Sequence, residues 1–454
     1  MRSKINRLSS LALYLLAGSL ALGAHAETVT IRLHGSNTLG SKLGPSLVEA
    51  FARQQGFVGV ERKEPAELEF QISGRRADGS EFKGVVKAHG TNTGRIDLMS
   101  GAADVWMASR AATPDEVVQA KAIGNLHSPQ QEHVVALDGL AIIVHPDNPL
   151  GELRVDEIRD AFAGRITDWS QLGGKSGPIK LYGRDDNSGT YDSFKSMVLS
   201  DGAAISGATR RFESSSDLER FVAEDPAALG FVGFSYIAHS KPLAVRAEGT
   251  AALKPDALSV STEDYLLARR LYFYTAAEAS PEVTEFIEFV QSTAGQAIVA
   301  QTGFVAQNIF VARVQPTPGN PTEYYDVIGH ADRLSMTIRF RPASSTLDSR
   351  ALRDIERLSA FMRLPENQHK ELRLTAFSPK AERARLMTLL TLNDRVDHVS
   401  QLLATRGVRV SMSRGFVDGP VVAPLGRADS TVRNERVEVW LVDPNGGISG
   451  DQVL

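Results

Sequence analysis

One stretch, Gly183-Arg184-Asp185-Asp186-Asn187-Ser188-Gly189-Thr190-Tyr191, constrains this chain more than any other. It follows a short apolar strand pattern, Ile179 to Tyr182. It leads into a helical one, with Tyr191, Phe194, Met197 and Val198 on a single face. A strand-to-helix corner of this composition suits an anion. Ser188 and Thr190 bring hydroxyl donors, Gly189 lets the backbone come close, and the first N–H groups of the helix carry partial positive charge. Arg184 adds a planar fork matched to two oxygens of a phosphate, and Asp186 is spaced to hold that fork. The bland alternative is a Ser-Gly helix cap beside a surface arginine, and the local sequence leaves both open.

Two further corners repeat the pattern. The strand Val29 to Leu33 runs into Gly35-Ser36-Asn37-Thr38. A helix then follows, with Leu39, Leu43, Leu47 and Phe51 spaced four apart and its start at Ser36 or Thr38. Gly90-Thr91-Asn92-Thr93-Gly94 precedes a short segment, Ile96 to Met99, and the strand Asp104 to Ala108 closes on Ser109-Arg110. Strands at Val134–Val144 and Leu229–Tyr236 alternate with helices at Val155–Phe162, Leu218–Val222 (capped by Ser215-Ser216-Asp217) and Pro281–Ala300. Thr28 to about Phe310 therefore reads as an α/β domain. Gly174-Lys175-Ser176 mimics the tail of a P-loop, but Trp169 stands where a glycine is needed and no strand leads in, so nucleotide binding there is rejected.

With 454 residues, two or three domains are expected. A net charge of −4 argues against a nucleic-acid binder. There is no cysteine, and the ten histidines form no His-Glu-x-x-His pair, so disulfides, thiolate chemistry and a zinc centre are not expected. Arg2, Lys4 and Arg7, the apolar run Leu8 to Leu22 and Ala24-His25-Ala26 form a secretory signal cleaved before Glu27. No later stretch is apolar enough to span a bilayer, so the expected location is the periplasm. Gln315 to Thr322 is a proline-rich linker. Beyond it lie a strand (Met336–Phe340), a helix (Ser349–Met362), a strand (Leu372–Phe377), a long helix (Ala381–Thr405) and a strand (Arg436–Val442).

Over about residues 28 to 310 these motifs, with Phe162-Ala163-Gly164-Arg165-Ile166-Thr167-Asp168-Trp169 and Pro226 to Gly233, resemble the phosphate-binding proteins of bacterial ABC transporters. The resemblance implies a two-lobed type II periplasmic binding fold closing on the anion. It places ligands at Thr38, Thr91, Arg184, Ser188, Gly189 (through its N–H) and Thr190, with Asp186 orienting the arginine. Ser109 and Arg110 complete the implied site. The family's best-known members carry an aspartate at the Arg110 position, which accepts the phosphate proton and rejects sulfate. Pointing inward, Arg110 would add charge and remove that acceptor, leaving the role to Asp185 or Asp186; pointing outward, it is a surface residue. The C-terminal part resembles an OmpA-like peptidoglycan-associating domain through Ile338-Arg339-Phe340 with Ser345-Thr346-Leu347, Leu374 to Ser378, Arg395 to Val399 with Leu403, and Arg433 to Val439. There Arg395 stands at the arginine that holds the diaminopimelate carboxylate, while Pro379 replaces the aspartate that holds its amine.

The expected organisation is a signal peptide at 1–26, a two-lobed oxyanion-binding domain at 27–313, a linker at 314–330, a small α+β OmpA-like domain at 331–443 and a flexible tail at 444–454. The expected function is periplasmic binding of inorganic phosphate or a related oxyanion, with an ABC transporter permease as partner and the cell wall engaged through the OmpA-like domain. The alternative is an envelope structural or adhesive protein anchored to peptidoglycan. No cofactor or metal is expected. With neither a Gly-x-Ser-x-Gly elbow nor a metal-ligand cluster, no enzyme is expected either.

Overall fold

The computed structural model describes residues 28–186, 188–199, 202–314, 320–341, 344–378, 385–417, 419–425 and 430–444. The expected signal peptide, Pro379 and residues 445–454 lie outside that set.

The larger unit is built on one mixed sheet. Its strand order is 58–66, 69–75, 81–87, 28–35, 105–108, 268–275, 132–144, 228–233, 180–184 and 210–212, with the short 241–242 strand also pairing to 132–144. Strands 28–35, 81–87 and 105–108 run parallel, and so do 228–233, 180–184 and 210–212. The α/β arrangement is two-lobed, and two antiparallel strands carry the chain between lobes. Glu132–Val144 pairs with Ala268–Thr275 through its first half and with Ala228–Gly233 through its second. Each lobe has its own core. Leu47, Phe51, Phe82, Phe273 and Phe286 centre the first, and Phe162, Phe194, Phe231 and Tyr265 the second.

Successive side chains on a strand face opposite sides. On Ala268–Thr275 this sends Arg269 toward the helix that starts at Gly189, and Arg270 toward the C-terminal unit. That unit is a second sheet of order 311–312, 332–339, 436–442, 371–378 and 410–417, packed on helices Ser349–Met362 and Arg385–Ala404. Its contacts reach both lobes. Ser349 bonds Glu132 and Arg341 donates to the His127 carbonyl in the first; Arg433 donates to the carbonyls of Glu263, Tyr265 and Leu266 in the second.

Several elements depart from the sequence reading. The helix expected over Pro281–Ala300 is two, Pro281–Gln291 and Thr293–Gln301, because Ser292 caps the second and accepts from the Gly295 N–H at 3.2 Å. The stretch read as a linker contributes structure at its borders. Val311–Ala312 joins the C-terminal sheet, and helix Thr322–Ile328 buries Tyr324, Val327 and Ile328 against Phe377, Phe416 and Trp440. The hairpin over 58–75 and the strand Val410–Val417 had no counterpart in the reading. Among the described residues, no helix is long and apolar enough to cross a membrane.

Candidate functional site

In open α/β sheets ligands bind beyond the carboxyl ends of the parallel strands. Three such ends meet here. After strand 28–35, Ser36 caps a short helix, Asn37–Gly40, and leaves Thr38 buried at the lobe junction. After strand 105–108 comes Ser109, whose Oγ is 3.0 Å from Thr91 Oγ1. Thr91 is the first residue of helix Thr91–Ser100, where Gly90 takes the cap position at φ 106°, a conformation that favours glycine. Its carbonyl accepts from Trp106 Nε1, which fixes that helix start. After strand 180–184, Ser188 caps helix Gly189–Met197 and accepts from the N–H groups of Thr190 and Tyr191. The stacked rings of Phe194 and Phe231, 4.0 Å apart, with Phe162 edge-on to both, seat that helix on the second lobe.

Gly189 shows how closely the lobes approach. A Cβ there would lie 2.6 Å from Ser109 Oγ and 3.3 Å from Thr38 Oγ1, so only glycine fits between these hydroxyls. Thr38, Thr91, Ser109, Ser188, Gly189 and Thr190 are thus gathered into one buried cluster from both lobes. Ser188 Oγ receives two protein N–H groups, which leaves its own hydrogen to donate.

Arg184 borders a cavity of about 550 Å³ that Thr38 and Thr190 also line. The residue is 9% exposed. Its Nε donates to the Phe212 carbonyl at 3.1 Å, one terminal nitrogen to the Glu213 carbonyl at 2.5 Å and the other to Ser215 Oγ. All three acceptors are neutral, and among the described residues no carboxylate forms an ion pair with it. Burial pushes its guanidinium below the ordinary arginine value, with the nearby Asp185 charge acting the other way. A guanidinium has five N–H groups, so donors remain for a ligand.

Three expected roles are corrected. Asp186 does not hold Arg184: the strand ends at Arg184 and the chain turns, so the spacing of two no longer puts both side chains on one face. Asp186 is 85% exposed and pairs with Arg211 at 2.9 Å. Arg110 does not point into the cluster. Its two terminal nitrogens bind both oxygens of Glu116 at 2.7 and 2.9 Å, the carboxylate of the Thr113 capping box. Arg395 is not presented to a carboxylate ligand. It is 6% exposed, lies 4.8 Å over the Phe340 ring and is paired with Glu435 at 2.7 Å.

The sequence reading missed Arg269 and Asp138. They form a buried ion pair where the strands cross between lobes, with Arg269 Nε 3.0 Å from Asp138 Oδ2. Arg269 also donates to the Gly189 carbonyl at 3.0 Å and to Thr190 Oγ1 at 3.3 Å, so it fixes the helix start and turns the Thr190 hydrogen away from itself. A lone aspartate inside the apolar run Val134–Val144 was the available signal. Among the described residues, no group of three or more His, Asp or Glu is placed to hold a metal ion.

Fold and cleft together define a two-lobed α/β binding protein whose hydroxyls, amides and one guanidinium converge between the lobes. The chain belongs to the PBP superfamily: the family model described as a PBP superfamily domain matches residues 23–294. Among curated proteins it is similar to the phosphate-binding protein PstS of Bacillus subtilis, with 32% identity over 221 residues, 48% of this chain and 70% of that one. It is also similar to protein SphX of Synechococcus elongatus, with 29% identity over 235 residues, 48% of this chain and 68% of that one. Among solved structures, an ABC-type phosphate transport receptor from Vibrio cholerae aligns with 61% of this chain and 99% of its own at 23% identity and a TM-score of 0.47.

Proposed function

We propose that the interlobe cleft binds inorganic phosphate or a closely related oxyanion, as the substrate-binding component of an ABC-type importer working outside the inner membrane. One observation carries this reading: Arg184 is buried beside a cluster of hydroxyls and helix-start amides, yet its acceptors are neutral. A buried cation whose hydrogen-bond acceptors are all neutral is costly, and an oxyanion supplies charged acceptors for the donors that remain. Net contributions of about 1.5–3 kcal/mol per charge-assisted bond bring several such bonds to micromolar affinity or better. The similarity to the phosphate-binding protein PstS of Bacillus subtilis supports the same ligand.

Isothermal titration of the mature protein with phosphate and with sulfate tests the proposal. Phosphate is expected to bind, and Arg184→Ala to weaken it by about tenfold or more. No heat with either ion would end the reading. With Arg110 committed to Glu116, its position supplies no proton acceptor to the cleft, so the sulfate arm measures selectivity directly.

For the C-terminal unit, the order of strand, helix, strand, helix and two further strands in one mixed sheet supports the OmpA-like reading. Wall association through Arg395 would require a peptidoglycan carboxylate to displace Glu435. Co-sedimentation with purified peptidoglycan, compared between the native protein and Arg395→Ala, tests it; equal pelleting of the two would remove Arg395 from any such contact.

A further inference from the structure

The chain leaves the large unit at the strands that join its lobes. Val305 exchanges backbone bonds with Leu137, midway along strand Glu132–Val144, and the Phe310 N–H then donates to Ser335 Oγ of the second sheet. The C-terminal unit lies on the face of strand Ala268–Thr275 opposite the cleft. Arg269 donates to Gly189 and Thr190 on one side, while Arg270 reaches Asp348 on the other at 2.7 Å. Asp348 caps helix Ser349–Met362, accepting from the Ala351 N–H at 2.7 Å. The two residues after that cap hold opposite lobes. Ser349 Oγ bonds Glu132, which also accepts from Tyr274 of the first lobe at 3.2 Å. The buried Arg350 donates to the Ser261 carbonyl of the second lobe at 2.8 Å and contacts Glu263 at 3.5 Å. Arg339 and Arg341 repeat the division: Arg339 bonds Glu263 at 2.7 Å, and Arg341 the His127 carbonyl of the first lobe at 2.6 Å.

The two attachments differ in kind. On the second lobe, Arg433 adds bonds to the carbonyls of Glu263 at 3.0 Å and Tyr265 at 2.8 Å, and Arg339 one to Thr262 at 3.1 Å. That seat is redundant, and losing the Glu263 carboxylate leaves its carbonyl bonds in place. On the first lobe, the bonds from Ser349 and Arg341 stand beside a cavity of about 510 Å³ that Glu132, His133, Ser349 and Arg353 help to line. Adjacent Cα atoms are about 3.8 Å apart, so a helix start bonded to both lobes has no slack. Rotation of the lobes about the joining strands carries Glu132 and His127 away from their places relative to Glu263. A packed body cannot follow both, and the lighter attachment gives way first.

In this structure the lobes stand together, with Gly189 of the second against Ser109 and Thr38 of the first. Resting on the reading of the cleft as an oxyanion site, we propose that the C-terminal unit is a clasp on the binding domain. It is seated permanently on the second lobe. It takes hold of the first, through Ser349 and Arg341, only when the lobes are closed, and so slows release of the bound anion. Linkage makes the effect reciprocal: a bound anion tightens the hold of the C-terminal unit on the first lobe.

Rapid-mixing chase of radiolabelled phosphate from the full mature chain, with excess unlabelled phosphate, tests this. The double variant Arg341→Ala/Ser349→Ala is expected to release phosphate about tenfold faster than the native protein, with association within about twofold. Ser349→Ala alone is expected to release it about threefold faster. Asp348 still caps that helix, so the single variant is expected to fold. A second readout needs no ligand. The chain has no cysteine, so spin labels at Lys63→Cys and Arg220→Cys, exposed positions on opposite lobes, report the distance between them. Without phosphate, the double variant is expected to show a longer and broader distance than the native lobes, and saturating phosphate to bring the two together. Release rates unchanged within about twofold overturn the clasp even if the thermal midpoint falls, because a merely structural contact moves the midpoint alone. If the native protein binds no phosphate, the cleft reading ends, and identical ligand-free distances in native and variant protein end the clasp as well.

Discussion

Two buried arginine sites lie on different strands of the large sheet, and they are built in opposite ways. On the cleft side, Arg184 is surrounded by carbonyls and a hydroxyl and has no carboxylate partner among the described residues. On the side facing the C-terminal unit, Arg270 binds Glu263 and Asp348, Arg339 reaches the same Glu263 at 2.7 Å, and Arg350 contacts Glu263 and Asp354 at 3.5 and 3.2 Å. Each of these guanidiniums has a carboxylate partner, and Asp354 also takes Arg357 at 2.8 Å. Burial by itself would raise the Glu263 carboxyl, but Arg270, Arg350 and Arg339 outweigh it and hold the group well below its ordinary value. Burial pushes Arg339 down to about 10, partly offset by Glu263. Where charges are matched inside the protein, the arrangement serves the fold. Where one is left over beside a cavity, the balance is left to something that arrives.

Removing the shared carboxylate is the harshest way to break that contrast. Glu263→Gln leaves Arg270, Arg339 and Arg350 facing two carboxylates, and stranding buried charge in this way costs about 3–5 kcal/mol. The expected result is a large fall in the thermal midpoint with phosphate affinity unchanged in the protein that remains folded. Arg184→Met should do the reverse, weakening phosphate binding as Arg184→Ala does while holding or raising the midpoint in ligand-free buffer, because a poorly compensated buried cation is gone. Loss of stability in Arg184→Met and loss of affinity in Glu263→Gln would together erase the distinction.

Acid should act on the interface. His133, on the strand between lobes and 3.3 Å from Thr275 Oγ1, is pushed down to about 4 by burial, with Arg353 of the C-terminal unit adding to the shift. The folded protein keeps this imidazole neutral while the unfolded chain takes up a proton near 6.5. Its contribution is therefore complete above 6.5 and is lost as the pH falls toward about 4, with a slope of up to about 1.4 kcal/mol per pH unit. Glu263 follows with the same sign at lower pH: its depressed value contributes stability above 4.5 that is lost as the pH drops through its folded value. Urea midpoints measured from pH 7.5 downward should decline below about 6.5, and His133→Asn should flatten the upper part of that decline. A flat profile from 6.5 down to 4.5 would mean that His133 is not held as described.

Much of the cleft was legible in the sequence because its chemistry is local. Ser36, Ser188 and Gly189 announce helix starts by residue type and by position relative to an apolar strand, and those starts lie where the parallel strands end. What the sequence did not carry was the choice of partner for each guanidinium. Arg110 is captured by Glu116 through a capping box one helix later, and Asp186 by Arg211 on the neighbouring strand. Either choice depends on how the chain turns after a strand, which spacing alone does not fix. The strand Val58–Ala66 was unreadable for a different reason. Nearly all of its side chains are exposed, so no apolar period marks it. Ala268–Thr275 opens with two arginines because it serves both buried sites at once, and that broke the apolar run that would have identified it.

The smallest expected effect is the sharpest check on the cleft. Asp186→Asn removes one exposed ion pair with Arg211, and such pairs are worth about 0–1 kcal/mol. Arg211 keeps its bond to the Arg184 carbonyl and its place over the Tyr191 ring, 4.1 Å from the centroid, so the cavity wall should hold its shape. Phosphate affinity is then expected to stay within about twofold of the native value, because Arg184 is oriented by the Phe212 and Glu213 carbonyls and by Ser215. A loss of tenfold or more would mean that Asp186 swings onto Arg184 once the anion is bound. The cleft arginine would then be carboxylate-paired in its working state, as Arg270 is, and its neutral surroundings would no longer mark the ligand site.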